Sequence, residues 1–224
     1  MFSMMRLLKD WVSLRSKKEQ WQVQPPWVLR LLYPKAVWRE KVKDKRVFIT
    51  FDDGPIPEVT PWVLNTLNEY GAKATFFCVG DNVRKHPAIY QLLHQYEMGV
   101  GNHSFSHTPV RLGKFKTYIK DVELCGKWFT SKLFRPPHGI LFPWQVGKLR
   151  KMFKKIVMWD VLTMDYRQDL SPQQVFENLE KNVRPGSIIV FHDSIKAWDR
   201  LKIALPKSLE YLSNKGYVFD VIQE

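Results

Sequence analysis

The 224-residue chain has only two cysteines, Cys78 and Cys125, which are too few for a disulfide framework. Cys78 lies in an apolar run and is expected to be a reduced core residue. No apolar run approaches the roughly 18 residues that a transmembrane helix needs. Residues 1–14 are interrupted by Arg6, Lys9 and Asp10 and lack a small-residue cleavage site, which argues against a signal peptide. We therefore expect a protein that is cytoplasmic or peripheral to the cytoplasmic membrane.

Patterns of the helix-turn-helix, zinc-finger and RNP types are also missing, although the formal net charge is +13. Much of this charge is local, because the chain up to Arg46 has twelve Lys or Arg residues against four Asp or Glu residues. We expect no nucleic-acid partner. The charge leaves open an anionic membrane surface, an anionic glycan, or a solvated basic face that binds nothing.

Residues 1–44 are predicted to be a basic N-terminal extension with short amphipathic helices, followed by one domain at residues 45–224. Helical spacing predicts the first short helix from the apolar residues Met4, Leu7, Leu8, Trp11 and Leu14. It either lies on a membrane interface or packs on its own domain. A second short helix is predicted over Trp27–Tyr33, where it is expected to cover an open end of the domain core.

Strand-like and helix-like segments alternate from Lys45 onward, which is typical of a parallel sheet whose strands are joined by helices. Strands are predicted at residues 47–51, 74–79, 98–100, 133–134, 155–161, 187–191 and 217–222. Helices are predicted at residues 60–70, 87–96, 118–131, 143–153 and 171–183 and within 200–215. About seven strand–helix repeats predict an α/β fold with a (β/α) barrel of seven or eight strands. A doubly wound open sheet is the alternative.

Two adjacent carboxylates, Asp52 and Asp53, end the first predicted strand. Two acids that face one small volume repel each other unless a cation takes one of them, and the other interpretation is an ordinary solvated turn. His103 and His107 follow the third strand at i and i+4, which would place both imidazoles on one side of a helical turn. With Asp53 they predict a divalent-metal site that keeps coordination positions open. Asp52 is then placed to act as a general base.

Further polar residues occur at other strand ends, where barrels of this type carry their active groups. Arg135 follows the fourth predicted strand, Trp159 and Asp165 end or follow the fifth, and His192 ends the sixth. His192 is either a proton donor to a leaving group or an ordinary core histidine.

Four motifs occur in order along the chain, and they are Thr50–Pro55 (TFDDGP), Asn102–His107 (NHSFSH), Arg135–Gly139 (RPPHG) and Val190–Asp193 (VFHD). With these motifs the chain from Lys45 onward resembles the polysaccharide deacetylases with a NodB homology domain, carbohydrate esterase family 4. The resemblance implies a distorted TIM-like barrel. It also implies a hydrolase that removes N-acetyl groups from amino sugars of a polysaccharide, peptidoglycan or glycolipid.

The resemblance implies a metal site with a catalytic base beside it. Asp53, His103 and His107 are the implied ligands of a divalent metal, most often Zn2+, with Co2+, Ni2+ or Mn2+ also accepted. Asp52 is the implied base, and Arg135 is the residue that is implied to hold it in place.

The resemblance also implies an acid and a set of substrate contacts. His192 is the implied general acid for the departing amine, and Asp165 is the implied carboxylate that tunes it. The backbone N–H of His138 is expected to help stabilise the oxyanion. Val190 and Trp159 are placed beside the substrate, where Val190 helps to receive the acetyl methyl group.

Two positions depart from the family pattern. His138 stands where Tyr is commoner, and Leu162 stands where an Asp is expected, although Asp160 lies two residues earlier. These departures affect the expected substrate rather than the metal site. The alternatives to a glycan N-deacetylase are a deformylase or deacetylase of a lipid-linked sugar at the membrane face, and a non-catalytic module that binds an anionic polymer.

Overall fold

A parallel sheet of nine strands forms the centre of the computed structural model, which describes residues 20–111 and 113–224. The strands are Ala36–Val37 (β1), Arg46–Asp52 (β2), Ala74–Cys78 (β3), Gly99–Asn102 (β4), Leu133–Phe134 (β5), Lys155–Val157 (β6), Val161–Leu162 (β7), Ile188–His192 (β8) and Val218–Phe219 (β9). The helices are Trp27–Leu31 (α1), Thr60–Glu69 (α2), Gly80–Lys85 (α3), Pro87–Gln95 (α4), Phe115–Leu124 (α5), Pro143–Leu149 (α6), Pro172–Glu180 (α7) and Trp198–Asn214 (α8), with 3-10 turns at Cys125–Lys127 and Pro137–Gly139. The alternation that the sequence predicts from Lys45 onward is thus present. The helix predicted from the residues between Met4 and Leu14 lies outside the described residues.

The order of the strands shows that the sheet curls into a distorted barrel. It runs β1-β6-β5-β4-β3-β2-β8-β7, and β9 pairs with the beginning of β2. The single strand predicted at residues 155–161 is wrong, because this stretch forms two short strands with different neighbours. β6 pairs with β5, whereas β7, only three residues later, pairs with β8. The backbone changes partners between them, since Met158 N–H bonds to the Val37 carbonyl and Asp160 N–H bonds to the Ile188 carbonyl. This bent stretch therefore brings the two sides of the sheet together, as a barrel requires and an open doubly wound sheet does not.

Strand β2 contributes to two different layers of the core. Successive side chains of a strand point to opposite faces. Val47, Ile49 and Phe51 pack in the large apolar cluster between the sheet and its helices. Phe48 packs with other residues inside the barrel, so Asp52, four residues later, points to the same interior side. The alternation therefore turns the last carboxylate of β2 toward the inside of the barrel.

Several predicted helices have different bounds. The helix predicted at residues 118–131 begins earlier, at Phe115, and ends at Leu124, where a 3-10 turn follows. Helix α3 was not predicted; it follows β3 directly and is only six residues long. Among the described residues, no helix combines the length and the apolar character needed to cross a bilayer.

The predicted second N-terminal helix is present as α1, and polar groups attach it to the barrel. Arg30 forms an ion pair with Asp160 at 2.7 Å, and the Tyr33 hydroxyl donates to the Leu141 carbonyl at 2.7 Å. Four large apolar side chains of this segment are exposed instead of covering the core, namely Trp27, Val28, Leu31 and Leu32. Strand β1, which follows, adds to the sheet beside β6.

Candidate active site

A cavity of about 300 Å³ lies at the C-terminal ends of the central strands. β2, β4, β5 and β8 belong to one parallel sheet, so their last residues reach the same end of the barrel. Nine of the ten side chains predicted for the site line this cavity, and they are Asp52, Asp53, His103, His107, Arg135, His138, Trp159, Val190 and His192. The tenth, Asp165, is fully buried and bonds to His192.

Three side chains in the cavity form a cluster that can hold a metal ion. The Asp53 Oδ1 atom lies 3.1 Å from His107 Nε2 and 4.0 Å from His103 Nε2. His103 Nδ1 bonds to the Arg135 carbonyl at 2.8 Å, which fixes the tautomer so that Nε2 is free for a metal. Burial lowers the pKa of His103 to about 4, so this imidazole is neutral at neutral pH, as a ligand must be. One carboxylate oxygen and two imidazole nitrogens within 4.8 Å of one another fit a divalent cation.

The predicted helical turn for the two histidines is wrong. Residues 103–107 form an irregular loop, in which Ser104 and His107 have positive φ angles of 63° and 54°. The buried Asn102 side chain accepts a hydrogen bond from Ser104 N–H at 2.8 Å and so stabilises a tight turn after β4. The two imidazoles still meet, with ring centroids 5.0 Å apart.

The other carboxylate of the pair, Asp52, is held by a buried arginine. Arg135 Nη1 lies 2.6 Å from Asp52 Oδ1 and also donates to the Thr50 hydroxyl at 2.8 Å. Its Nη2 donates to the Met158 carbonyl, and its guanidinium lies 4.0 Å from the centre of the Phe77 ring. The two adjacent acids thus have separate partners, because Asp52 faces the guanidinium while Asp53 faces the imidazoles. This arrangement relieves the repulsion between them.

His192 lies beside Asp52 and is bonded by a buried carboxylate. The parallel register of β2 and β8 aligns Asp52 with His192. Asp165 accepts from His192 twice, from the backbone N–H at 2.8 Å and at Nδ1 at 2.7 Å. Burial by itself would lower the pKa of His192, but the nearby carboxylates, Asp165 above all and then Asp53 and Asp52, outweigh it and raise the pKa to about 9. His192 can therefore carry a proton at neutral pH.

The turn after β5 places His138 next to the cluster of Asp53, His103 and His107. His138 and Gly139 both have positive φ angles, 59° and 63°. A Cβ on Gly139 would lie 2.4 Å from the Trp159 ring, so only glycine allows this close packing. The His138 ring lies 4.6 Å from the His107 ring, and burial lowers its pKa. The turn thus joins the ligand side of the cavity to its aromatic wall.

Asp160 does not replace the acid that is missing at position 162. It is fully buried and accepts from Arg30, from Arg184 and from the Ser187 hydroxyl, at distances between 2.7 and 3.0 Å. Leu162 lines the cavity instead. This part of the wall is therefore apolar.

Besides Gly139 and Leu162, the cavity is lined by Tyr166 and Lys196, which were not among the predicted site residues. Tyr166 lies edge-on to His192, with ring centroids 4.9 Å apart, and Lys196 Nζ lies 5.5 Å from the centre of the Tyr166 ring. Tyr166 could have been found because it follows Asp165 directly. The only signal for Lys196 is its place in the loop after β8.

Comparisons with known proteins agree with this geometry. The polysaccharide deacetylase family pattern matches residues 39–152. A peptidoglycan-N-acetylglucosamine deacetylase of Bacillus cereus is 31% identical over 197 residues, which cover 84% of this chain and 92% of that protein. A chitooligosaccharide deacetylase of Azorhizobium caulinodans is 35% identical over 155 residues, which cover 66% of this chain and 73% of that protein.

A solved structure supports the same relationship. It is the crystal structure of a peptidoglycan N-acetylglucosamine deacetylase in complex with 4-naphthalen-1-yl-N-oxidanyl-benzamide, with a TM-score of 0.77 and 29% identity. The similarity covers 88% of this chain and 94% of that one. Since the family pattern spans about half of the sequence and this relative matches over nearly its whole length, the chain belongs to the polysaccharide deacetylase family, carbohydrate esterase family 4.

Proposed function

We propose that this protein is a metal-dependent hydrolase that removes N-acetyl groups from the amino sugars of a glycan. One observation carries the proposal: a single cavity joins a three-residue ligand cluster, a carboxylate fixed by Arg135 and an imidazole fixed by Asp165. A solvated turn or an ordinary core histidine would not need any of these partners. The names of the relatives point to N-acetylglucosamine residues, in peptidoglycan or in chito-oligosaccharides, as the substrate class.

Asp53, His103 and His107 would hold the cation, and two imidazoles with one carboxylate suit Zn2+ best. When bound, a divalent cation polarises the amide carbonyl and lowers the pKa of a water molecule. The other groups of the cavity supply the proton transfers and the substrate contacts.

Asp52 takes a proton from the attacking water. Its Oδ1 atom is bonded to Arg135, while Oδ2 lies 3.9 Å from His103 Nε2, on the side of the ligand cluster. His192, aligned beside Asp52, then donates a proton to the departing amine. The backbone N–H of His138 donates to the oxygen of the tetrahedral intermediate. Asp165 keeps His192 in the charged form until this proton is needed.

Replacing Asp52 with asparagine is expected to lower kcat/KM by roughly 100- to 10,000-fold, the usual contribution of a general base. Asparagine has nearly the same shape and can still accept from Arg135, but it cannot take a proton. The bound metal should remain. Acetate release from N-acetylated chito-oligosaccharides and elemental analysis of the purified protein measure the two effects.

Asp199→Asn is the matched control, because Asp199 lies at the exposed start of α8 and pairs with Lys202. It should keep the wild-type activity. Full activity of Asp52→Asn would assign the base to another group, and loss of the metal would make Asp52 a ligand.

A second candidate substrate is a formylated or acetylated lipid-linked sugar at a membrane face. In the described part of the N-terminal extension, Trp21, Trp27, Leu31 and Leu32 are all more than half exposed. This segment lies beside the cavity, since the Gln22 carbonyl accepts from Trp159 Nε1 at 2.9 Å. Exposed apolar side chains in a cationic segment are typical of contacts with an anionic bilayer. Such a contact would bring the cavity to the level of the lipid headgroups.

The double variant Trp27→Ser/Leu31→Ser is expected to bind anionic liposomes at least about tenfold more weakly than the wild type, because two apolar side chains no longer enter the bilayer. Its activity on soluble oligosaccharides should not change. Liposome flotation measures binding, with Trp128→Ser/Ile203→Ser as a control that removes exposed apolar side chains elsewhere. Equal flotation of both double variants, or no flotation of the wild type, would remove this segment as a membrane contact.

A further inference from the structure

Residues 20–33, named here the N-terminal strap, are attached to the barrel at several points, one of which is Trp159 in the cavity wall. The Gln22 carbonyl accepts a hydrogen bond from Trp159 Nε1 at 2.9 Å. Gln24 Nε2 donates to the Asn182 carbonyl at 3.1 Å, and Arg30 pairs with the buried Asp160. The strap is therefore fixed on both sides of Val23. It lies outside residues 39–152, which match the family pattern.

Val23 is a buried apolar side chain of the strap. It is 5% exposed and belongs to a cluster with Leu162, Met164 and Val190. Leu162 and Val190 also line the cavity and form its apolar wall. The other residues of the cluster, Val23 and Met164, therefore pack behind this wall. Trp159 packs against the same cluster and is the residue to which the strap bonds.

In the proposed reaction, the apolar wall formed by Leu162 and Val190 is the side of the cavity that suits the acyl group. The amide carbonyl has to meet the ligand cluster and Asp52, and the amine has to reach His192. The remaining part of an N-acyl group is its alkyl chain, which is favoured on apolar surface. Leu162, in the position where the family pattern has an acid, extends this apolar surface toward the strap.

We propose that Val23 is a positioning residue that sets the depth of the acyl pocket by supporting Leu162 and Val190. The proposal rests on the proposed N-deacetylase function and adds the acyl-chain selectivity of that site. With Leu162 and Val190 held in place, the pocket accepts an acetyl group but has no room for the extra methylene of a propionyl group. In apolar pockets one methylene changes specificity by roughly 10- to 200-fold.

The test compares N-acetylated and N-propionylated chito-oligosaccharides as substrates of the zinc-loaded 224-residue protein. Val23→Ala is expected to lower the ratio of kcat/KM for acetyl over propionyl substrate by about five- to tenfold, because the wall can retreat into the space of the lost methyl groups. Val23→Ile should keep or raise the wild-type ratio. Gln24→Ala should change the ratio in the same direction as Val23→Ala, since it removes an attachment of the strap but leaves Val23 in place. Val28→Ala, which alters an exposed valine of the same strap, is the control and should keep the ratio.

Binding of acetate and propionate to the zinc-loaded protein, measured by calorimetry, gives a readout without turnover. Val23→Ala should lower the ratio of the propionate Kd to the acetate Kd. A lower melting temperature with an unchanged acetyl-to-propionyl ratio in both Val23→Ala and Gln24→Ala would overturn the proposal, because the strap would then only stabilise the fold. If the wild type releases no acid from any acylated glycan, the proposed function fails, and the two binding constants still decide the role of Val23.

Discussion

Replacing His103 with alanine is expected to remove the bound divalent metal and the activity together. His103 supplies one of two imidazoles in a three-ligand cluster, and its ring is held by the Arg135 carbonyl at 2.8 Å. The metal contributes several kcal/mol of transition-state stabilisation, so kcat/KM should fall by roughly 1,000-fold or more. Zinc content by elemental analysis and acetate release from N-acetylated chito-oligosaccharides measure the two losses.

Two further variants separate this effect from loss of folding. His107→Ala should give the same double loss with a smaller effect on stability, because the His107 side chain is 30% exposed whereas that of His103 is 2% exposed. His94→Ala alters an exposed histidine on α4 and should keep both metal and activity. If folded His103→Ala kept a full equivalent of zinc, the ligand assignment would be wrong.

Replacing Asp165 with asparagine is expected to move the alkaline limb of the pH profile to lower pH. Asp165 makes the largest of the carboxylate contributions that raise the pKa of His192 to about 9 against the effect of burial, and the acid of the reaction must be protonated. The wild-type kcat/KM should therefore stay high at neutral pH and fall as the pH rises through about 9. Without the charge and the hydrogen bond of Asp165, the effect of burial is opposed less strongly, and the pKa of His192 falls. The limb should move down by about one pH unit or more, and activity at pH 8 should fall while the metal stays bound.

Asp160→Asn is the informative comparison for this profile. Asp160 is buried as well, but its oxygens face Arg30, Arg184 and Ser187 rather than His192. Its loss should lower the melting temperature and leave the alkaline limb where it is. If the alkaline limb of kcat/KM lies at the same pH in the wild type and in Asp165→Asn at saturating zinc, Asp165 does not raise the pKa of His192.

The general location of the candidate site could be predicted from the sequence because parallel strands deliver their last residues to one end of a barrel. Asp52, Arg135 and His192 follow three different apolar runs, and no local pattern relates them. The barrel geometry does, since β2 and β8 are neighbours and Asp52 is aligned with His192. The motifs around these residues indicated the polysaccharide deacetylase family, and the comparisons confirm it.

Other features depend on contacts that a linear pattern does not show. The spacing of His103 and His107 fits a helix, but the Asn102 side chain favours a tight turn there. The apolar run before Leu162 looks like one strand, whereas closure of the barrel divides it into β6 and β7. Val23 reaches Leu162 across 139 positions of the chain, so its packing could be seen only in the structure.

The proposed function is tested most directly by measuring acetate and formate release from a panel of acylated substrates by the 224-residue protein. The panel contains N-acetylated chito-oligosaccharides, peptidoglycan and acylated lipid-linked sugars, each with and without a chelator. We expect acetate from at least one N-acetylated glycan, loss of this release with chelator, and recovery when Zn2+ is added back. A folded, zinc-loaded protein that releases neither acid from any substrate, yet binds an anionic polymer tightly, would contradict the account and favour a non-catalytic binding module.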